Sequence, residues 1–233
     1  TYDFTATGQS DGIYYLGLNQ QLYDLDSCMK YLKSNDYYGY QNIYLYGHSM
    51  GGYAVGAYDN PIIKAKVSIS GYDNHIKELV SYMCKNKNKL IKCYYLIMFK
   101  IIYFLRKGFK SNVVVSKVLK NTQTKTLIIH GTNDEIVPFL DQSIYSKKNK
   151  INNDKIEYIK MEEKLHSSHN TVLASTECVL YQKEIMALIN QKIKEGKTLD
   201  EAKDIILKDA DVFKLNSSNN ELIDIVDKFF MSN

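Results

Sequence analysis

The chain has 233 residues, 45% of them apolar and 24% charged, with a formal net charge of +4. That is enough to bury one core, so it reads as one globular domain or one domain with an insertion. The charge is small and the lysines are scattered instead of forming a run interleaved with aromatics, which argues against a nucleic-acid-binding protein.

Cys28, Cys84, Cys93 and Cys178 form no CxxC pair and have no metal-ligand spacing. They read as four unrelated buried thiols in a reducing, cytoplasmic setting, with a Cys84–Cys93 disulfide as the alternative. No signal peptide or transmembrane segment is visible.

Thr1 to Phe4 reads as a short strand and "TATGQSDG" as a polar, glycine-bearing loop. Between Leu18 and Lys33, Leu22, Leu25, Met29 and Leu32 recur at three- and four-residue steps, which predicts an amphipathic helix. Asn42 to Tyr46 is a short apolar run that predicts a buried strand. It leads into Gly47-His48-Ser49-Met50-Gly51-Gly52 and a small-residue helix that ends before Pro61. A serine on a sharp strand-to-helix turn needs near-absent side chains two positions either side of it, and the helix that follows aims N–H groups at the serine.

"AKVSIS", Ala65 to Ser70, predicts a second buried strand, closing on Gly71-Tyr72-Asp73. The segment from Ile76 to Gln123 is Lys-rich and helical and contains "LIKCYYLIMFKIIYFL", Leu90 to Leu105. Thr126 to His130 predicts a third strand and Asp154 to Met161 a fourth. A helix follows from about Ser175 to Lys194, and capping boxes at Thr198/Glu201 and Ser218/Glu221 open two more. Strands separated by helices predict an α/β fold with a mostly parallel sheet and flanking helices.

A serine hydroxyl needs a base within hydrogen-bond reach and an acid to orient that base. Asp134, directly after the third strand, is the favoured acid; Asp73 competes from a matching position. For the base, His48 adjoins Ser49 and must leave the turn in another direction, His130 belongs to the packed strand end, and His75 begins the helical segment. His166 and His169, in the loop after the fourth strand, remain. His169 is favoured because His-Asn shortly precedes a helix start, and His166 stays in competition. The order Ser, Asp, His is that of the α/β-hydrolase fold.

At these residues the sequence resembles the α/β-hydrolase superfamily, and within it the small bacterial hydrolases related to monoacylglycerol lipases and serine aminopeptidases. "YDFTATGQSDG", "YGHSMGG", "LIIHGTNDEIVP" and "HSSHN" carry the resemblance, although Ala6-Thr7 depart from the first motif and the usual Gly-His pair is absent from the last. The resemblance implies two-step acyl transfer, with Ser49 as nucleophile, His169 or His166 as base, Asp134 orienting it and the Met50 N–H as one oxyanion donor. It implies no metal and no organic cofactor. It also implies strands ahead of Tyr2 that this chain does not contain, so a truncated chain and a poor enzyme are expected.

The expected organisation is a hydrolase core over residues 1–75 and 122–195, a helical cap over 76–121 whose apolar face lines the acyl site, and a C-terminal helical extension over 196–233. The expected activity is hydrolysis of small-molecule carboxylic esters, acylglycerols among them. The alternatives are an aminopeptidase-like amide hydrolase and a non-catalytic relative. Residues 90–105 are too short to span a bilayer, and Lys92 and Lys100 interrupt them. Packing over the active site is favoured over interfacial attachment through Lys85, Lys87, Lys89, Arg106, Lys107 and Lys110.

Overall fold

The computed structural model describes residues 2–13, 17–35 and 42–233. Four parallel strands, β1 (Ile43–His48), β2 (Ile63–Ile69), β3 (Lys125–Gly131) and β4 (Ile156–Met161), form one sheet in the order β1-β2-β3-β4. Each successive strand returns through helix: α2 (Met50–Ala57) joins β1 to β2. Helices α3 (His75–Met83), α4 (Lys89–Lys107) and α5 (Val115–Leu119) lie between β2 and β3, and α6 (Lys148–Ile151) precedes β4. α1 (Gln20–Ser34) comes before β1. After β4 come α7 (Thr176–Lys194), α8 (Leu199–Leu207), α9 (Val212–Leu215) and α10 (Asn220–Met231).

Strand periodicity sends alternate side chains to opposite faces. Ile128 joins Tyr53, Ala57, Tyr72, Val115, Leu119 and Ile144 in a core on one face. Leu127 and Ile129 join Ala65, Val67 and Ile69 of β2 on the other. That second face is closed by Leu222, Val226 and Phe229 of α10. The last residues of the chain therefore cover the sheet, which no sequence motif had indicated. α8 packs on α7 through Ala202 against Ile185 and Ile189.

Three local expectations are corrected. Tyr2 to Phe4 is not a strand; Thr1 lies outside the described residues. The segment instead turns on itself, with Thr7 N–H donating to Phe4 C=O and Ala6 N–H to Asp11 C=O, and Thr5 is tied to Asp24 through its N–H and hydroxyl. The N-cap of α10 is Asn219, whose side chain accepts from Leu222 N–H at 3.3 Å, so Glu221 is one position too early to complete a box. Ser218 bridges to Ala174. The Thr198/Glu201 box forms as expected. All four cysteines are free; Cys84 and Cys178 are buried, but Cys28 is half-buried and Cys93 exposed, because α4 turns Cys93 to solvent.

Lys66 of β2 is fully buried. Its ammonium donates to Tyr58 C=O at 2.9 Å and stands 3.8 Å from Asp59. Burial pushes its pKa down to about 8, against the pull of Asp59. The unfolded chain therefore binds the extra proton between about pH 8 and the ordinary lysine value, and this group's contribution to stability rises with pH across that window. Lys66→Met should flatten the rise, so that wild type gains up to about 3 kcal/mol on the variant between pH 8 and 10.5. Urea unfolding of both proteins across that range checks it.

Candidate active site

β1 ends at His48, and Ser49 is the residue between strand and helix. Its backbone stands at φ 57, ψ −115, a conformation that side-chain-bearing residues rarely adopt. The turn is held from both sides. Ser49 N–H donates to Ile69 C=O at 2.9 Å, extending the ladder with β2, and Tyr53 N–H donates to Ser49 C=O at 3.0 Å in the first turn of α2.

The glycines of this turn are not equivalent. A Cβ on Gly47 would lie 2.4 Å from the backbone of Gly51, and one on Gly52 would lie 2.7 Å from Ile69 C=O, whereas one on Gly51 meets nothing within 4 Å. The close approaches thus fall at Gly47 and Gly52, which corrects the expectation that both flanking glycines of G-x-S-x-G are sterically required.

Asp134 lies in the turn that follows β3. Its Oδ1 accepts from Ile136 N–H and Val137 N–H at 3.0 and 2.7 Å, which closes the turn. The His169 ring reaches the same carboxylate through Nδ1, at 2.8 Å from Oδ2 and 2.9 Å from Oδ1. A carboxylate only accepts, so Nδ1 carries the proton and Nε2 is left as the acceptor. Ser49 Oγ lies 2.9 Å from that Nε2. Burial alone would raise the pKa of Asp134. The hydrogen bonds from His130, His169 and the Val137 N–H outweigh it and hold the carboxyl well below the usual range.

The structure thus brings Ser49, Asp134 and His169 together and leaves the other two candidates elsewhere. His166 Nδ1–H donates to Thr171 C=O, and its Nε2 accepts from the Thr176 hydroxyl at 3.0 Å, so the ring fastens the loop to the start of α7. Asp73 Oδ1 accepts from Ser116 N–H at 2.7 Å and fixes α5. Met50 is the first residue of α2 and packs against the Tyr53–Tyr72 core.

Three supporting contacts lay outside the sequence reading. His130, fully buried, stands with Nε2 3.0 Å from Val137 C=O and 3.2 Å from Asp134 Oδ2, so it is part of the carboxylate's surroundings and not only a packed strand end. His48 Nε2–H donates to the His169 carbonyl at 2.8 Å, with the two rings 4.8 Å apart. Burial lowers its pKa, with the His169 ring adding to the effect. Finally, a Cβ on Gly131 would lie 2.2 Å from Ser167 C=O. The histidine loop lies directly on the acid turn there, and Asn133 donates to Ser167 through both its backbone and its side chain. A glycine at the end of a strand and a serine in a loop carry no signal of their own; only their juxtaposition does.

Glu78 of α3 is also buried close enough to feel the charge of Asp134. Burial first, then Asp134 and Asp141, push its pKa up to about 7. Among the described residues no group of three or more His, Cys, Asp or Glu side chains is placed to hold a metal ion.

No protein-family model matches the chain, and no curated protein matches it. Solved structures do. The Pyrococcus furiosus esterase Pf2001 superposes with a TM-score of 0.52 at 20% identity, covering 83% of this chain and 68% of its own. Est1E from Butyrivibrio proteoclasticus gives 0.42 at 19%, covering 66% and 62%. A Pyrococcus horikoshii acylaminoacyl peptidase gives 0.42 at 17%, covering 65% and 24%. This chain therefore spans about two thirds or less of each of them. At such identities the likeness is one of fold: the chain has an α/β-hydrolase fold.

The turn geometry yields a contrast. Gly47→Ala and Gly52→Ala should each destabilise by about 1–3 kcal/mol, as overpacking against backbone does. Gly51→Ala should be neutral or stabilise by up to about 1 kcal/mol, because glycine weakens a helix. Thermal unfolding of the three variants separates these outcomes.

Proposed function

We propose that the protein is a serine hydrolase acting on carboxylic esters through an acyl-enzyme. The observation that carries this reading is the hydrogen-bonded series Ser49 Oγ, His169 Nε2, His169 Nδ1, Asp134, with contacts of 2.9 and 2.8 Å. In this mechanism Ser49 Oγ attacks the ester carbonyl carbon while its proton passes to His169 Nε2. The carbonyl oxygen becomes an oxyanion beside the N-terminus of α2, where the Met50 N–H is the proposed donor. The intermediate collapses, the C–O bond to the leaving group breaks, and His169 returns its proton to the departing alkoxide. Water, deprotonated by the same nitrogen, then releases the acid and restores the Ser49 hydroxyl.

Asp134 keeps Nδ1 protonated, so that Nε2 faces the serine as a base, and it stabilises the imidazolium formed in each step. His130 and the two turn N–H groups keep that carboxylate ionised and oriented. His166, held by Thr171 and Thr176, is a loop fastener in this reading. The ester preference rests on the likeness in fold to the Pyrococcus furiosus esterase.

Labelling with a fluorophosphonate probe, and turnover of p-nitrophenyl esters beside aminoacyl nitroanilides, test the proposal. Ser49→Ala should lose the label and cut turnover on the order of a millionfold. Asp134→Asn should cost about ten-thousandfold, because the wrong imidazole tautomer then faces Ser49. His166→Ala should retain turnover to within about tenfold. An active Ser49→Ala protein, or a dead His166→Ala with an active His169→Ala, would falsify these assignments. Faster release of nitroaniline than of nitrophenol would move the substrate class to amides.

A further inference from the structure

We propose that α4, together with the lysine-lined cleft beside it, is a docking surface for an anionic phospholipid bilayer. This goes beyond the hydrolytic reading and does not depend on it.

The observation begins with the face that α4 leaves open. Leu90, Tyr94, Ile97, Ile101 and Leu105 are 81%, 64%, 55%, 54% and 77% exposed. Their steps of four, three, four and four residues place them in one stripe along the whole 19-residue helix. The opposite face anchors the helix. Tyr103 is buried, with its ring edge-on to His75 at 4.9 Å and its hydroxyl where a Cβ on Gly17 would be. The helix is thus held firmly while its apolar stripe is left in solvent. Single exposed apolar residues need no explanation, but a contiguous row of large ones does.

Charge identifies the occupant. At about 100° per residue, Lys89, Lys100 and Lys107 fall together on one flank of the stripe. Lys89 and Lys100 lie beside apolar side chains as they would in a helix resting at a lipid interface, while the Lys107 ammonium stands over the Tyr23 ring. The whole segment from Leu79 to Asn133 holds eleven of the thirty basic residues and none of the twenty-six acidic ones, so the rest of the chain has nineteen basic against twenty-six acidic. The modest net charge conceals this division.

Adjoining α4 is a cleft of about 510 Å³ lined by Lys77, Lys100, Lys117, Lys120, Lys147 and Lys150. The carboxylate in its lining is that of Asp73, which is engaged by the Ser116 N–H. The pKa of Lys147 is lowered, by burial first and then by Lys150 and Lys77, against Asp73 and Asp141. Clustered lysines around a cleft suit a phosphate headgroup, and the apolar stripe suits the acyl boundary below it.

A second copy of this surface would set lysine against lysine, and a nucleic acid has no use for a row of isoleucine and leucine. No helix among the described residues is long and apolar enough to cross a membrane, so α4 would lie along the surface.

The chain contains no Trp, so Tyr94→Trp places a single reporter on the stripe. Vesicles of phosphatidylcholine, alone or with about 30 mol% phosphatidylglycerol, supply the two surfaces. Expected are flotation with the anionic vesicles and a blue-shifted Trp emission, both absent with neutral vesicles and both reduced in about 0.5 M salt. Lys89→Ser with Lys100→Ser should weaken partitioning on the order of thirtyfold. Ile97→Asp with Ile101→Asp should abolish it while leaving the unfolding temperature unchanged, since both side chains are exposed. If that pair unfolds the protein, the lysine pair and the Trp reporter decide the matter. No flotation, equal binding to neutral vesicles, or a lipid-free dimer that the isoleucine pair dissolves would each overturn the proposal, the last by assigning the face to a second copy.

Discussion

Ser49 occupies a backbone conformation that costs energy, and the rest of the site is arranged around holding it there. A non-glycine residue at φ 57, ψ −115 persists only where its neighbours over-determine it. Two sets of contacts do so. The hydrogen bond from Ser49 N–H to Ile69 C=O ties the turn to β2, and the close approaches at Gly47 and Gly52 leave the helix nowhere else to go. Tyr53, fully buried in the first turn of α2, locks the helix from the core side and stacks on Tyr72 at 4.8 Å. Once the serine is fixed, the acid turn and the histidine loop must reach it from separate strands. The absence of a side chain at Gly131 lets Ser167 close that distance.

The electrostatics follow the same arrangement. A buried carboxylate is expensive unless its lone pairs are used. Asp134 uses them on two turn N–H groups and two imidazoles, so that its low pKa results from local geometry opposing burial. His48 solves a different problem. It secures the His169 backbone with a neutral ring whose pKa is lowered by burial, so the loop is held without a second cation beside the imidazolium that the proposed mechanism forms.

Much of the sheet and the proposed triad could be read from sequence because they rest on local chemistry. Three strand positions were marked by apolar runs, and the serine turn by its glycines. The order of Ser49, Asp134 and the histidine loop restricted the choice of fold. The choice between His166 and His169 was less legible: two histidines three residues apart have the same composition around them, and only the fixed position of Asp134 distinguishes them. His130 is set aside as a packed strand-end residue and His48 because it adjoins Ser49 and must leave the turn in another direction, yet rings at strand ends are where this sheet gathers its polar side chains. Tyr2 to Phe4 failed as a strand for an opposite reason. Its residues suit a strand, but the local hydrogen bonds of Ala6, Thr7 and Thr5 satisfy the segment as a turn. α10 was invisible as a covering element because amphipathicity indicates that a helix has a partner without saying which one.

α4 is the place where the ambiguity of an apolar pattern matters most. From Leu90 to Leu105 the sequence favours packing over the active site above interfacial attachment, yet both need a hydrophobic stripe. The structure decides which stripe is used for folding. Tyr103, His75 and Tyr53 form a continuous aromatic contact from α4 to the helix that follows Ser49. This inner face is already committed to the protein, and the outer stripe is left over. A helix that retains two apolar faces after folding has one more than its own stability requires. The carboxylate-free stretch around it lowers the cost of bringing that second face against negative charge, and makes its burial against another copy of itself unfavourable. The segregation of charge and the leftover stripe therefore constrain each other: either alone is common on protein surfaces, but together they select a partner surface that is both greasy and anionic.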